Sequence, residues 1–333
     1  MSSKSHRPYV VSVHGLPDFC EKLTPLLSSE QWEVPYRSPF TLKGLAARFF
    51  DLVRADLVYT WGGRITFGQF TRVARFLGKN KLIMLWCGSD VLFAQQQLNA
   101  GIAIEPWIRN KIHWAVSPAM AEEVRTLGLE CEYVQASFVD SVPNPEPLPD
   151  KFRVLVYAPS FKKAELYGLD RVLEVAARLP DVEFNLVGIL EWPVPSCPPN
   201  VSVHGRIDLT IVYEHSTVLY RPVRHDGGIS FMVLEALAHG RHVVYTRPFP
   251  ASILVHDVDE ACRELRRLQG LHQSGQLGLN YRGIEVIAND YSSEKVRANL
   301  LARWERVISS EGQNSLPANP KSETCAGADF TRE

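Results

Sequence analysis

The chain has 333 residues, 45% of them hydrophobic and 22% charged, with a formal net charge of −1. At about 100–200 residues per domain two domains are expected, the composition is that of a soluble globular protein, and the near-zero charge argues against a basic field for nucleic acid. The six cysteines are scattered without a Cys-x-x-Cys pair, the first residues lack the apolar core of a secretory signal, and no apolar run reaches the roughly 18 residues that span a bilayer, so a reduced, cytoplasmic protein is expected.

In chain order, "YVVSVHG" (9–15) reads as a buried strand with a loop behind it. "LKGLAARFFDLVRAD" places Leu42, Leu45, Phe49, Leu52 and Val53 at helical spacing. "DLVYTW" is a strand followed by the loop "GGRITFG", and "GQFTRVARFLGKN" is a helix that stops at Gly78. "KLIMLWCGSD" is strand and loop, "HWAVS" a strand, "PAMAEEVRTLG" a helix with proline near its start and glycine at its end, and "CEYVQAS" closes the series.

Four prolines at 143, 145, 147 and 149 then stiffen the chain and mark a boundary. The alternation restarts with "FRVLVYAP", "GLDRVLEVAARLP", "VEFNLVGI", "VSVHGRI", "LTIVYEH" and "STVLYRP", and ends in the helices "VHDVDEACRELRRLQGL" and "SSEKVRANLLARWERVIS". The expected fold is α/β, with two Rossmann-like doubly wound parallel-sheet domains facing a central cleft. The expected division is a first domain over 1–142, a linker over 143–151, a second domain over 152–308 whose last helix is free to cross back, and a disordered polar tail over 309–333. Ligands in such sheets bind beyond the carboxyl ends of the strands.

The most informative loop lies in "RHDGGISFMVLEALAHGRHVVY" (224–245). Gly227 and Gly228 free the backbone, and the helix start behind them offers unpaired amides to an anion such as a phosphate. Glu235 sits among Phe231, Leu234, Leu237 and Ala238, where a carboxylate can accept two hydrogen bonds from a vicinal diol. The bland alternative is a plain turn with Glu235 in solvent.

The segment "DGGISFMVLEALAHGRHVV" (226–244) resembles the donor-binding segment of GT-B glycosyltransferases of the family 4-like retaining group, with its Glu-Ala-x-Ala-x-Gly run and following Val-Val strand. The resemblance covers most of the chain. "RVLVYAPSFKKAELYGLDRVLEVAARLPDVEFNLVGI" (153–189) is similar to that group's first C-domain strand, basic loop, helix and second strand. It implies retaining, metal-independent transfer from a nucleotide-diphosphate sugar, with no cofactor, to a glycan, lipid-linked or small-molecule acceptor on the N-domain. It also implies that Glu235 binds the ribose, and that the amides of Gly227, Gly228, Ile229 and Ser230 meet donor sugar and diphosphate.

Several positions depart from that pattern. The group's first glutamate falls at Gly227, so either Asp226 replaces it or amides act alone. Lys162 and Lys163 stand where a diphosphate clamp is expected, with Lys163 the candidate for catalytic charge compensation. A solvated surface turn is the alternative for that pair. Arg206 is a candidate to stack on the base or pair with phosphate. On the acceptor side are His14, Gly15, Cys87 and Asp90. Cys87 occupies a position where the group often has histidine. Asp90 is read either as a group that orients or deprotonates the acceptor or as a cap of the next helix, and His14 either as a substrate contact or as a satisfied buried histidine.

Between residues 37 and 81 lie nine Lys or Arg and two Asp. A basic face carrying Phe49 and Phe50 can dock on anionic lipid at the inner membrane face; the alternative is a solvated helix with its aromatics in the core. Two other functions share the fold: a non-catalytic binding subunit and a UDP-sugar 2-epimerase-like enzyme. A dinucleotide dehydrogenase is disfavoured, because no Gly-x-Gly-x-x-Gly follows the first strand.

Overall fold

The computed structural model describes residues 7–15, 17–37, 41–189, 197–226 and 230–310. Its first sheet contains β1 (Tyr9–His14), β2 (Trp32–Glu33), β3 (Leu57–Trp61), β4 (Leu82–Trp86), β5 (Ile112–Ala115) and β6 (Cys131–Tyr133). Its helices are α1 (Pro17–Leu27), α2 (Leu42–Arg54), α3 (Gln69–Phe76), α4 (Ser89–Asn99), α5 (Pro106–Arg109) and α6 (Pro118–Thr126). The second sheet contains β7 (Arg153–Tyr157), β8 (Glu183–Val187), β9 (Val201–Gly205), β10 (Val218–Arg221), β11 (His242–Tyr245) and β12 (Ile253–Leu254). With it run α7 (Leu169–Arg178), α8 (Leu209–Glu214), α9 (Phe231–Ala238), α10 (Val258–Gln273), α11 (Tyr281–Asp290) and α12 (Ser293–Ser309).

Both sheets are parallel, as the alternation of strands and helices predicts. The first has the order β2-β1-β3-β4-β5-β6 and the second β12-β11-β10-β7-β8-β9. Strand order reverses between β1 and β3 in the first sheet and between β7 and β10 in the second. These are the switch points where doubly wound sheets bind ligands. The strands earn their central places by composition: β3 and β4 are buried at every residue, as two-sided burial of parallel strands requires.

The two sheets are tied together at several points. Residues 141–149 form neither helix nor strand. The carbonyls of Pro147 and Pro149 accept from Arg241 at 3.2 Å and His272 at 2.7 Å. Helix α12 returns to the first sheet, where Val296, Leu300, Trp304 and Val307 join the core with Val11, Tyr59 and Trp114. The Trp304 ring meets Tyr59 edge-on with centroids 5.2 Å apart. Phe231, the first residue of α9, packs on Phe19 and Phe138, so the start of α9 lies against the first sheet's helices.

The structure adds elements that periodicity did not reveal. Helix α1 carries Pro25 inside it, β2 and β12 are two residues long, and α5 has four residues. Helix α2 also reverses a simple expectation. Its apolar residues Leu42, Leu45, Phe49, Phe50 and Val53 are exposed, whereas Asp51 and Leu52 are buried. The alternative that placed its aromatics in the core therefore does not hold. Among the described residues no helix is long and apolar enough to cross a membrane. The polar tail from residue 311 onward lies outside the described residues.

Candidate active site

The second sheet's switch point is built by two loops locked to each other. Gly168 has φ +67°, and a Cβ there would lie 2.0 Å from the Pro222 carbonyl oxygen. Only glycine permits that approach. The Arg224 amide donates to the Leu166 carbonyl at 2.9 Å, and the Arg224 guanidinium grips Asp170 at 2.6 and 3.0 Å. The loop after β7 is thereby fixed beside the loop after β10. Lys162 and Lys163 lie on the first of these loops, in a 3-10 turn, and both are exposed.

Asp226 ends the described part of the second loop. Its Oδ2 accepts from Arg221 Nε at 3.0 Å, Arg221 Nη2 at 2.9 Å and Tyr245 Oη at 2.9 Å. The Arg221 side chain is 6% exposed and its guanidinium lies 5.2 Å from the Tyr167 ring centroid. Burial opposes the Arg221 charge, and Asp226, Tyr245 and Tyr167 together outweigh it, so the guanidinium stays charged. Asp226 thus holds a buried arginine in place. Gly227, Gly228 and Ile229, assigned above to amide contacts, lie outside the described residues.

Ser230 precedes α9 and supplies its carbonyl to the amides of Val233 and Leu234, at 2.9 and 3.1 Å. Glu235 follows about one turn on. Six of the eight α9 residues are buried, and Glu235 is half-buried. Tyr213 Oη donates to Glu235 Oε2 at 3.0 Å. Burial pushes the carboxyl up, against the Tyr213 hydrogen bond and the charge of Lys22. Lys22 belongs to α1, and its Nζ lies 5.4 Å from the Phe231 ring centroid. Glu235 is therefore a fixed carboxylate beside the junction of the two domains, not a solvent-facing one. Arg206 lies one residue past the edge strand β9, exposed, with β8 and β7 between β9 and β10. The structure does not bring it into the Glu235–Asp226 cluster.

Across the junction, the first sheet's switch point carries Gly15 after β1. It has φ +128°, and a Cβ there would lie 2.2 Å from the Trp61 carbonyl oxygen. His14 is buried and stacks on Phe70 with ring centroids 3.7 Å apart. Arg48 donates to its Nδ1 at 2.8 Å, which leaves the proton on Nε2 to meet Ser12 Oγ at 2.7 Å. Burial and the Arg48 charge pull its pKa down to about 3. Both ring nitrogens are hydrogen-bonded within the fold, the arrangement of a satisfied buried histidine.

Asp90 also serves the fold. Its carboxylate accepts from the amides of Gly63 and Gly88, each at 2.7 Å, Cys87 at 3.1 Å and Val91 at 3.1 Å. Burial pushes the carboxyl up against these four amides. Asp90 is the second residue of α4, whose N-cap is Gly88; it clamps the loops after β3 and β4 together instead of filling the cap position. Burial and Asp90 drive the Cys87 thiol well above its ordinary value, so it stays protonated. A further side-chain contact crosses the junction: His225 Nε2 lies 2.8 Å from Glu123 Oε2 on α6.

Sequence pattern alone does not single out Tyr213, Arg221, Tyr245 or Lys22. Arg221 left one trace, a cation inside the apolar run "VLYRP". Among the described residues no cluster of three or more His, Cys, Asp or Glu is placed to hold a metal ion.

No protein-family model matches the chain, and no curated protein matches it in sequence. Solved structures match it in fold. Anabaena HepE, in complex with UDP and glucose, superposes with TM-score 0.64 at 12% identity, over 90% of this chain and 100% of that one. A glycosyltransferase from Rickettsia africae gives TM-score 0.61 at 10% identity, over 92% of this chain and 100% of that one. The GtfA/B complex gives 0.53 at 14% identity, over 85% of this chain and 65% of that one. The chain thus spans less than two thirds of that last neighbour. At these identities the likeness establishes the fold, the two-domain GT-B arrangement.

Proposed function

We propose that the protein transfers a sugar from a nucleotide-diphosphate sugar to a hydroxyl acceptor, with retention and without a metal. The observation that carries this reading is Glu235, half-buried one turn into α9 and fixed through Oε2 by Tyr213, beside the switch point of the second sheet. A carboxylate held there suits the diol of a ribose. The loop with Lys162 and Lys163 is pinned next to the Asp226 loop, where its charges can offset the diphosphate as it leaves. HepE and the pneumococcal O-GlcNAc transferase GtfA were each solved with UDP and a sugar, so UDP-sugars are the first donors to try.

His14 and Asp90 are hydrogen-bonded within the first sheet's strands and loops, and the Cys87 thiol stays protonated. In this reading the proton of the acceptor hydroxyl passes to the departing diphosphate. The acceptor, glycan, lipid-linked or small molecule, lies against the loops after β1, β3 and β4.

Thermal stabilisation by UDP-, GDP-, ADP- or dTDP-sugars tests the donor site and names the base. Release of nucleotide diphosphate with candidate acceptors then tests transfer. Lys162→Ala with Lys163→Ala is expected to lower turnover by about 100-fold, by analogy with loss of other charge-stabilising groups, while donor affinity changes far less. Unaltered turnover in that double variant would place the diphosphate clamp elsewhere. A non-catalytic binding subunit is favoured by one observation, the commitment of Asp226 Oδ2 to Arg221 and Tyr245. That alternative predicts stabilisation by donor without nucleotide release.

A further inference from the structure

We propose that the outer face of α2 and α3 docks the protein on an anionic membrane surface. Helix α2 is inverted. In α2 the residues at one helical spacing, Leu42, Leu45, Phe49 and Val53, face outward with Phe50 beside them, while Arg48, Asp51 and Leu52 turn inward. Leu42 is 87% exposed, Phe50 65% and Phe49 46%. Arg48 is drawn in by His14 and Asp51 by Arg37, 3.6 Å away. Polar partners in the fold thus hold the apolar stripe out.

Helix α3 continues this surface. Leu52 of α2 and Ala74 of α3 share one core cluster beneath the two helices, and Lys79 just past α3 donates to the carbonyls of Val53 and Ala55 at the end of α2. Phe76 at the end of α3 is 88% exposed. A pocket of about 350 Å³ opens beside it, lined by Phe67, Arg72, Arg75 and Phe76. The Arg75 guanidinium lies 5.0 Å from the Phe67 ring centroid.

Charge selects the occupant. Between residues 37 and 81 lie nine cations and two carboxylates, of which Arg48 turns inward, Arg37 and Arg54 pair with Asp51 and Glu33, and Lys79 and Lys81 donate to backbone carbonyls. Both carboxylates are engaged, Asp51 by Arg37 and Asp56 by Arg7 at 2.8 Å. Among the described residues Lys43, Arg72 and Arg75 have no carboxylate partner. Exposed phenylalanines interleaved with unpaired cations match the two layers of an anionic bilayer surface: aromatic and aliphatic side chains enter the acyl boundary and the cations meet the phosphates. The surface uses no residue assigned to donor binding, so it stands or falls apart from the proposed transfer reaction.

Vesicle flotation without any nucleotide sugar tests it. The full chain is expected to float with vesicles of phosphatidylglycerol and phosphatidylcholine, and not with phosphatidylcholine alone. Binding should weaken at high salt, because surface charge is screened. Arg72→Gln with Arg75→Gln is expected to lower partitioning at least tenfold, two cations each being worth about fivefold near an anionic surface. Phe49→Glu with Phe50→Glu should abolish flotation while thermal unfolding stays unchanged, since both rings are exposed. Failure to float with the anionic vesicles, or flotation that these variants leave intact, overturns the proposal. So does a concentration-dependent dimer in solution that Phe49→Glu dissolves while vesicles are ignored, because the face would then cover a second copy.

Discussion

Replacing Arg221 with methionine is expected to destabilise the C-terminal half by about 3–5 kcal/mol, the usual cost of stranding one partner of a buried ion pair. Arg221 ends β10 and supplies two of the three hydrogen bonds on Asp226 Oδ2; Tyr245 supplies the third. Without the guanidinium, Asp226 keeps one neutral donor and a poorly solvated charge. Its loop leads directly to Gly227 and Gly228, whose amides the proposed donor site uses, so disorder there should weaken donor binding as well. The double variant Arg221→Met with Asp226→Asn removes the stranded charge and should recover a large part of the loss. Denaturant unfolding of the single and double variants checks this. A loss below about 1 kcal/mol in the single variant would mean that Asp226 is stabilised by groups other than Arg221.

Acid should destabilise the N-terminal half for a specific reason. Burial, with the Arg48 charge, pulls His14 down to about 3. Burial likewise pulls His113 down to about 4, where its Nδ1 accepts from Trp86 at 3.1 Å and its Nε2 donates to the Ile108 carbonyl at 3.0 Å. The ordinary value for an unfolded histidine is about 6.5. A histidine held neutral in the fold contributes its full stability above the unfolded value and loses it as pH falls toward the folded one. Between pH 7 and pH 5 each of these two should therefore cost about 2 kcal/mol, roughly 4 kcal/mol together, with about two protons taken up on unfolding at pH 5. Calorimetric or denaturant unfolding across this range measures the slope. His14→Gln with His113→Gln should flatten it; an equally steep loss in the double variant would assign the acid sensitivity to other groups.

Much of the fold is legible in the sequence. Apolar runs such as "LIMLW" and "HVVY" are too short for buried helices and alternate with helical repeats, and that pattern alone yields two parallel sheets. The short elements β2, β12 and α5 are not legible, because two to four residues carry no period, and Pro25 masks α1. Helix α2 shows a different limit. Its period is plain in "LKGLAARFFDLVRAD", but period alone does not say which side faces the core. That side is chosen by His14 and Arg37, which engage Arg48 and Asp51.

The site divides along the same line. Glu235 stands out as a carboxylate in an apolar helix. Its partner Tyr213 lies 22 residues away, and Tyr245 lies 19 residues from Asp226; separations of that size leave no local trace. For Asp90 and His14, at strand-end loops, the sequence leaves a chemical and a structural reading both open. Asp90 accepts from backbone amides and His14 from Arg48, partners that no single-sequence pattern announces.

Calorimetric titration of UDP-glucose, and of the other nucleotide-sugars in turn, into the native protein and into Glu235→Ala tests the proposed donor site. Measurable binding of one nucleotide class is expected, weakened about 30-fold in the variant, the equivalent of about 2 kcal/mol for hydrogen bonds to a charged carboxylate, with unfolding otherwise preserved. Equal affinity in the two proteins would remove Glu235 from the donor site and with it the observation on which the proposed transfer rests.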